Sequence, residues 1–594
     1  MLAVSDKFKA AIVAPSRKTT VNVRFEVLDN DAWLDNTKTA TSQASISRLE
    51  QLTNRVRKTQ GALASFEPDR WKLDGSFVIP PRPEEAVETE VGWWSSTFCD
   101  ADGYFAPAEG VTITCGTLYN AAGLTITFDP AANEYARDFT TTIYGASDEI
   151  IHQEVVTDNT KASYRIERNL PLLFRVQLDI TRWSTGQRRA KVLEIDFGLV
   201  EDYGESELIN MSIINELDPT SATLPAGELR FVLDNLDKRF NILNPTGLYY
   251  FLQERQRVMV EMGVDIGGTF EMVPAGTYYL TEWKSDHGGL TASFTARDAI
   301  DLLAQGTYRK GRLEVVNAYD LIEEIILDAG INVLYTIDAA LKDVYLLACV
   351  PLVSHREAAQ LVALASRAVI RLSRQGRLLV ERLAVTPPVG SIDFDNTYTT
   401  PSIKLDPLIN CVRVDINSYR LKGNAEVYKG AVVADGESEV WVEYKAPCQN
   451  HQVTATGGTL VRAEHYAYAS KLVVSGAGVV EITVTADEME QSKTIYELRD
   501  DDRPIAEPAY SLEISNALIN SQEVAADVAA WLLTESQRRL NYEIDWRQNP
   551  ALECGDIVAV EDEFGVNRAA RITRQEFRYS GALRGRTGAK GGLG

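Results

Sequence analysis

The sequence predicts a mainly β protein with α+β elements, divided into several modules. Short segments in which apolar and polar residues alternate recur along most of the 594 residues, and such alternation is typical of half-buried strands. Residues 20–28, TVNVRFEVL, are the first example, with every second residue from Val21 to Val27 expected on one face. Helical spacing occurs in only a few places, and a chain of this length can form several cores.

The composition disfavours several classes of function. The formal net charge is −24 and the pI is about 4.8, so the surface repels nucleic-acid phosphates and anionic lipid. No apolar run approaches the length of a membrane span, and the first residues, with Asp6, Lys7 and Lys9, lack the apolar core of a secretory signal. The six cysteines form no CxxC pair, which favours reduced, mostly buried thiols.

The first two modules are predicted from strands and a proline-rich run. Residues 1–80 contain the strand just described and a short helix predicted at 45–58, and a linker with three prolines is predicted at 71–85. Residues 81–200 contain short strand-like runs separated by turns, at 111–115, 124–128, 139–144, 173–180 and 192–197. That spacing, without an intervening amphipathic helix, predicts an antiparallel β-sandwich.

The remaining modules alternate between β and mixed structure. Residues 201–310 are predicted to be β, and residues 391–594 are predicted to be β except for a helix that begins at Asn520 and ends near residue 540. Between them, residues 311–390 are predicted to form a small α/β domain.

Two helices of the α/β domain have recognisable start signals. Asn317 is placed to cap a helix with an apolar face, and Ser354 and Glu357 have the spacing of a capping box before a second apolar stripe.

Candidate metal and catalytic sites are weak. None of the five histidines has a partner at a metal-ligand spacing, and no nucleophile–His–acid set stands out, so we expect neither enzymatic activity nor a cofactor. Asp100 and Asp102, in the run DADG, faintly resemble a calcium loop, but the spacing departs from that of an EF-hand and Asp-Gly is a common turn. With 84 acidic residues, carboxylate pairs arise by chance, which disfavours a carboxylate-only hydrolase.

Aromatic residues of the 81–200 block form the candidate carbohydrate site, namely Trp93, Trp94, Tyr104 and Trp183. Aromatic faces stack on the apolar faces of sugar rings, but the same residues could instead form the sandwich core. Because side chains alternate along a regular strand, adjacent Trp93 and Trp94 cannot both point inward, so one of them is expected to be exposed.

Several segments carry a family resemblance. Residues 233–256, LDNLDKRFNILNPTGLYYFLQERQ, are rich in turn-forming Asp, Asn, Pro and Gly, and residues 545–560, DWRQNPALECGDIVAV, combine a turn with a strand. Together with YYLTEW and SFTARDAIDLL, they resemble the hub proteins at the distal end of phage and phage-like tails, in the families from Gram-positive hosts. In residues 81–200, WWSSTFCDADGYF, GLTITFD, RDFTTTIYG and LEIDFG resemble the discoidin-like or galectin-like sandwiches of tail-tip proteins.

The resemblance implies a virion structural protein at the tail tip, made in the host cytoplasm. It implies a homotrimer with tube-like β-barrels, the first formed by residues 201–310 with a contribution from 1–80, and the second by residues 391–594. The inserted sandwich at 81–200 would project outward and could bind host cell-wall polysaccharide. The implied partners are the tail tube, the distal tail ring and a tail fibre or spike. Two alternatives stay open: a distal tail ring protein with a galectin-like domain, and a cell-wall hydrolase of the tail tip.

Overall fold

The computed structural model of the chain is mainly β, which confirms the predicted fold class. It describes residues 1–28, 35–54, 62–68, 70, 77–79, 91–245, 247–285, 289–500 and 510–592. Of the predicted linker at 71–85, only residues 77–79 are among the described residues.

The helices within the described ranges are α1 (Asp6–Val13), α2 (Ala299–Leu302), α3 (Ala318–Asp328), α4 (His355–Ser366) and α5 (Gln522–Ser536), with 3-10 turns at Leu49–Thr53, Leu248–Phe251, Ala339–Asp343 and Phe394–Asn396. The strands up to residue 300 are β1 (Thr19–Leu28), β2 (Asn36–Ala40), β3 (Ala62–Leu63), β4 (Phe77–Val78), β5 (Trp93–Trp94), β6 (Tyr104–Ala121), β7 (Leu124–Thr127), β8 (Ala136–Tyr144), β9 (Ile150–Val156), β10 (Ser163–Ile166), β11 (Leu170–Trp183), β12 (Lys191–Val192), β13 (Glu194–Asp196), β14 (Gly198–Tyr203), β15 (Leu208–Glu216), β16 (Glu228–Asp234), β17 (Arg257–Asp265), β18 (Phe270–Lys284) and β19 (Thr291–Arg297). The later strands are β20 (Thr307–Tyr308), β21 (Val315–Asn317), β22 (Tyr335–Ile337), β23 (Tyr345–Leu347), β24 (Val353–Ser354), β25 (Val369–Leu372), β26 (Leu378–Glu381), β27 (Gly390–Ile392), β28 (Ser402–Leu405), β29 (Ile409–Glu443), β30 (Cys448–Thr456), β31 (Thr459–His465), β32 (Ala469–Arg499), β33 (Tyr510–Ile514), β34 (Leu540–Trp546), β35 (Ile557–Glu561), β36 (Asn567–Tyr579) and β37 (Leu583–Gly591).

A 13-stranded sheet, called here the large sheet, joins the two ends of the chain. Its main path is β14-β1-β17-β18-β19-β16-β15-β36-β37-β34-β28, and β35 pairs with β36 and β27. The predicted separation of residues 201–310 from 391–594 is therefore incomplete, because β15 pairs with β36 from Met211↔Tyr579 to Glu216↔Arg574. Each half nevertheless has its own apolar core.

The core of the first half follows from the alternation in β1. The face predicted from every second residue between Val21 and Val27 is buried, and Phe25 lies at its centre. The Phe25 ring meets those of Phe231 and Phe294 at centroid distances of 6.1 and 5.4 Å, edge to face. Rings in this geometry stabilise a core beyond the area that they bury.

The inserted sandwich, which comprises β2 to β13, interrupts the large sheet between two paired strands. The chain leaves the sheet after Leu28 and returns at Gly198, and these residues face each other in the β1–β14 pair. A five-stranded sheet, β2-β6-β11-β8-β9, and a three-stranded sheet, β10-β7-β13, share one apolar core. Two short strands, β5 and β12, pair with each other.

The predicted start of the sandwich near residue 80 is wrong. Strand β2 already forms an edge of the five-stranded sheet through Asn36↔Cys115 to Ala40↔Val111, and Leu52 lies in the sandwich core. The helix predicted at 45–58 is a 3-10 turn in its described part. The side chain of Gln51 in this turn accepts hydrogen bonds from the backbone N–H groups of residues 91 and 92, at 2.8 and 3.0 Å, which fixes the turn to the sandwich.

The α/β domain has the predicted helix starts. The side chain of Asn317 accepts a hydrogen bond from the N–H of Asp320, and Ser354 and Glu357 form a reciprocal capping box. Helix α5 begins one residue later than predicted, capped by Ser521, and ends at Ser536. It shares the core of α3 and α4, so it belongs with the α/β domain rather than with the β module to which the sequence assigned it.

A long strand pair, β29 with β32, leaves this helical core. It runs from Cys411↔Arg499 to Glu443↔Ala469, and β30 and β31 pair with the other edge of β32. Residues beyond about 425 have their own small core, which includes Val442, Leu472 and Ile482. We refer to this part, residues 425–490, as the curled module.

Candidate functional site

Both tryptophans of β5 are buried, so the expectation that one of them is exposed is wrong. Trp93 is 0% exposed and lies in the sandwich core, and its Nε1–H donates to the carbonyl of Ser42 at 2.7 Å. Trp94 is 4% exposed and lies in a second cluster with Ala44, Leu63 and Val91. The two side chains do point to opposite faces, but chain segments cover both faces of this two-residue strand.

Trp183 also belongs to the core rather than to a sugar platform. Its ring meets that of Phe128 edge to face at 5.9 Å, and its Nε1–H donates to Glu134 at 3.3 Å. Tyr104 differs from these residues, because it is 48% exposed and the Arg182 guanidinium lies 4.6 Å from its ring centroid. Of the four predicted aromatics, Tyr104 alone presents a ring to solvent.

The Asp100–Asp102 segment is a tight turn. Asp100 Oδ1 accepts hydrogen bonds from the N–H groups of Asp102 and Tyr104, at 3.0 and 2.8 Å, and Gly103 has a φ of +90°. This is the Asp-Gly turn that the sequence offered as the alternative to a calcium loop. Across the described ranges, no group of three or more His, Cys, Asp or Glu side chains is arranged to hold a metal ion.

A buried ion network, which the sequence did not indicate, lies behind Trp94 and Trp183. Its members are Glu67, Arg70, Asp129, Glu134, Arg188 and Lys191. Glu134 is the centre, with Arg70 Nη1 at 3.2 Å, Arg188 Nε at 2.8 Å and Lys191 Nζ at 3.0 Å. Arg70 and Lys191 also lie over the Trp94 ring, 5.1 and 4.8 Å from its centroid. The network explains why Trp94 is covered.

The cations of this network act on its central carboxylate, that of Glu134. Burial alone would raise the pKa of Glu134, but the cations Lys191, Arg188 and Arg70 lower it below its ordinary value. Carboxylates held in this way do not serve as general acids. The network is therefore structural.

A second feature is a cleft between the inserted sandwich and the large sheet, called here the junction cleft. Its volume is about 790 Å³, and its walls come from β7, β10 and the β9–β10 loop on one side and from β1 and β14 on the other. Glu201 spans the junction: it accepts hydrogen bonds from Arg165 of the sandwich at 2.9 Å and from Arg239 at 2.8 Å. Across the mouth, Arg24 and Asp202 pair at 2.8 Å.

Tyr203 lines the junction cleft without a hydrogen-bond partner for its hydroxyl among the described residues. The residue is 6% exposed, and burial raises the pKa of its phenol. A buried hydroxyl that lacks a partner is costly, and this oxygen has almost no surface accessible from the cleft.

The curled module contains a stack of three rings. His451 and His465 lie parallel with centroids 4.8 Å apart, and the Tyr444 ring stacks on His451 with a centroid distance of 5.3 Å. Burial, with a smaller contribution from His465, lowers the pKa of His451 to about 4. The Ser470 hydroxyl bonds both His465 Nδ1 and the Tyr444 hydroxyl. Both histidines are neutral at pH 7, a state that suits packing rather than proton transfer.

Comparisons with known proteins give structural neighbours of low similarity. No protein-family model matches the chain, and no curated protein matches it. The chain is similar to the 43 kDa tail protein of prophage MuSo2 from Shewanella oneidensis, with 12% identity and a TM-score of 0.39 over 66% of this chain and 95% of that one. It is similar to a tail protein from Neisseria meningitidis, with 12% identity and a TM-score of 0.38 over 66% and 93% of the two chains.

A third neighbour is a prophage tail protein from Listeria monocytogenes, with 9% identity and a TM-score of 0.35 over 65% of this chain and 91% of that one. All three neighbours are tail proteins, but TM-scores below 0.5 do not establish a shared fold or function. Within the part of the chain that the structure describes, no helix is long and apolar enough to cross a membrane.

Proposed function

We propose that the chain is a structural protein of the tail of a phage or phage-like particle and acts as the hub at its distal tip. The sequence resemblance in residues 233–256 and 545–560 supports this proposal. Both segments lie in the large sheet or its connections, the first between β16 and β17 and the second from β34 to β35. The segments that resemble hubs thus belong to one structural unit.

The observation that carries the proposal is the exposed edge of the large sheet at β28. This strand pairs with β34 on one side, and all four of its residues are exposed, including Ile403 and Leu405 at 47% and 55%. Apolar residues on an exposed edge strand favour pairing with another chain. A ring of copies that share such edges would form a tube, and we propose a homotrimer that contacts the tail tube, the distal tail ring and a fibre or spike.

Three-dimensional reconstruction of isolated particles tests the hub assignment. We expect threefold density for this chain at the tail tip. The chain would then be a virion component that is made in the host cytoplasm. Sixfold density would instead support the alternative of a distal tail ring protein.

A variant tests the edge strand directly. The double substitution Ile403→Asp and Leu405→Asp should leave the isolated chain folded but remove it from assembled particles, because charges on an edge strand oppose pairing. Phe564→Asp, at an exposed apolar position in the β35–β36 turn, is the matched control and should assemble normally. Normal assembly of the double variant would exclude this edge as the contact.

The proposed hub is not an enzyme. The surroundings of Glu134 support this view, because three cations bond its carboxylate and lower its pKa, which does not suit a general acid. Purified chain should cause no loss of turbidity in a cell-wall suspension. Release of reducing sugar or peptide that one Asp or Glu substitution abolishes would favour the wall-hydrolase alternative.

A second proposed role is binding of host cell-wall glycan by the inserted sandwich. Its support is the exposed ring of Tyr104, since the three tryptophans are buried. Tyr104→Ala should then weaken binding to purified wall glycan without changing the melting temperature. Unchanged binding would remove Tyr104 from this role.

A further inference from the structure

An exposed apolar patch lies on the connection between β16 and β17. Ile242, Leu243 and Tyr250 are all exposed, the last two to 64% and 63%, and the Tyr250 hydroxyl donates to the carbonyl of Ile242 at 2.7 Å. The three residues therefore lie side by side, and we call them the loop patch. Neighbouring apolar residues that face solvent together are typical of a surface that another protein covers.

Asparagine side chains hold the loop patch in a fixed shape. Asn241 Oδ1 accepts a hydrogen bond from the N–H of Leu243 at 2.9 Å, and Asn244 Nδ2 donates to the carbonyl of Lys238 at 2.9 Å. Phe240, in the same connection, is buried in the core of the first half of the large sheet. Because the loop is already ordered, a partner that covers it would lose little conformational entropy in making the contact.

A second exposed apolar patch lies on the curled module. Val433 of β29 and Val479 of β32 are direct cross-strand partners, and they are 74% and 62% exposed. The adjacent Val480 is instead in the core of the module. Side chains alternate along a strand, so Ala431, two positions from Val433 and also exposed, lies on the same outer face. We call Ala431, Val433 and Val479 the valine patch.

The valine patch lies on the part of the curled module that is furthest from its base. Tyr419, just before the module, and Tyr468, near the start of β32, pack in one cluster with Cys349 of the α/β domain. The β29–β32 pair therefore turns back on itself, and its middle, with Val433 and Val479, lies on the far side. This position makes the valine patch accessible to a neighbouring molecule.

The borders of the two patches differ in charge. Across the ladder Glu481 faces Ala431, and Asp435 lies two positions beyond Val433, so exposed carboxylates flank the valine patch. Residues 425–490 contain ten acidic and four basic residues. The connection that carries the loop patch has three basic and two acidic residues, and Lys238 is exposed beside the patch. Two valine patches would bring like charges together, whereas a valine patch and a loop patch would not.

We propose that the valine patch of one copy of this chain covers the loop patch of a second copy in the assembled particle. This inference rests on the proposed homotrimer and adds a contact to that of the β28 edge. Because the two patches differ, the copies would join head to tail. A closed ring then covers every patch, whereas an open chain of copies leaves one uncovered at each end.

Cross-linking of assembled particles tests the contact. A chain that carries both Leu243→Cys and Val479→Cys, treated with a short bismaleimide, should give linked species of two and three copies. Either substitution alone should give no more linkage than the unmodified chain, whose own six cysteines set the background. Leu243→Cys with Val385→Cys is the matched control pair, since Val385 is 76% exposed between β26 and β27, and it should not link.

Competition for places in the particle tests the chemistry of the contact. Each variant would be co-expressed with the unmodified chain, and their ratio in purified particles measured by mass spectrometry. Val479→Asp should lower incorporation at least about tenfold, the effect of losing an apolar contact residue. Lys238→Glu and Glu481→Lys should each lower it about twofold to fivefold, the range for an exposed charge pair, and a chain with both should recover.

A control variant and the contrary outcomes decide the inference. Lys445→Glu, at an exposed position beyond the end of β29, should be incorporated normally. Absence of cross-links with normal incorporation of all variants would exclude the contact, and cross-links from Leu243→Cys alone would show that two loop patches meet instead. Threefold density at the tail tip with no such contact would keep the hub and reject this inference, whereas cross-links within sixfold density would keep the contact and reject the hub.

Discussion

Replacing Glu134 with Gln should destabilise the inserted sandwich by about 3–5 kcal/mol, the range found when one partner of a buried ion pair is removed. Glu134 is the shared partner of Arg70, Arg188 and Lys191, with every contact at 3.2 Å or less. Glutamine keeps the shape but leaves three buried cations with two buried carboxylates. For a module of this size, about 4 kcal/mol corresponds to a fall of about 8–16 °C in melting temperature.

Differential scanning calorimetry of the full chain is the assay, and we expect the inserted sandwich to give its own transition because it has its own core. Glu167→Gln is the matched control, because Glu167 is exposed and its pairing with Arg165 at 3.6 Å is loose, so its cost should be below about 0.5 kcal/mol. The double variant Glu134→Gln with Lys191→Met restores the charge balance and should recover about 1–2 kcal/mol of the loss. If the melting temperature of the Glu134→Gln variant were as close to that of the unmodified chain as the Glu167→Gln control is, the network would not be a stabilising element.

The same network predicts an acid dependence. The cations hold the pKa of Glu134 below its ordinary value of 4.5, so its contribution is present above pH 4.5 and is lost as pH falls through the lowered pKa. The sandwich transition should therefore shift down below about pH 4.5, and the Glu134→Gln variant should lose that part of the shift.

Three further predictions concern the curled module and the sandwich core. Burial, with a smaller contribution from His465, lowers the pKa of His451 to about 4. As pH falls below 6.5, the free energy of unfolding of the curled module should therefore fall by about 1–2 kcal/mol, after allowance for solvent screening. A flat near-UV circular dichroism titration from pH 8 to 4 would contradict this. Trp183→Ala should cost about 3–5 kcal/mol by calorimetry, and a melting temperature within about 1 °C of the unmodified chain would place the ring outside the core. Gly110→Ala would bring a Cβ to 2.0 Å from a backbone carbonyl of the facing strand and should abolish the sandwich transition, whereas Gly204→Ala, with nothing within 4 Å, should not.

Local signals in the sequence predicted local structure well. The alternation in residues 20–28 gave the buried face of β1, and the capping residues Asn317 and Ser354 begin helices as expected. Such signals depend on neighbours within one strand or one helical turn. They arise from the periodicity of side chains within one element and from hydrogen bonds between side chains and nearby backbone N–H groups.

Features that depend on distant chain segments were not predicted. Alternation correctly sent Trp93 and Trp94 to opposite faces, but burial of the second face depends on Leu63 and on the ion network, whose members come from separate segments. Strand β2 was missed as a sandwich strand because its partner β6 follows a proline-rich run that resembles a boundary. The sugar-binding role of Tyr104, whose ring is exposed, remains a prediction. The junction cleft gave no signal in the sequence, because its walls come from two modules.

The place of insertion suggests why the large sheet tolerates the sandwich. Strands β1 and β14 pair from Val23↔Tyr203 to Leu28↔Gly198, so the sheet is continuous across the point where the sandwich leaves and returns. A module attached between two paired strands adds little loop-closure cost, because the pair already holds its two ends together. The polar contacts across this junction include the pair of Arg165 with Glu201 and the bonds of the Thr125 hydroxyl to the backbone of Gly198 and Val200. The large sheet can therefore keep its strand pairing whatever surface the sandwich presents, which is compatible with the proposed roles of the sheet in assembly and of the sandwich in glycan binding.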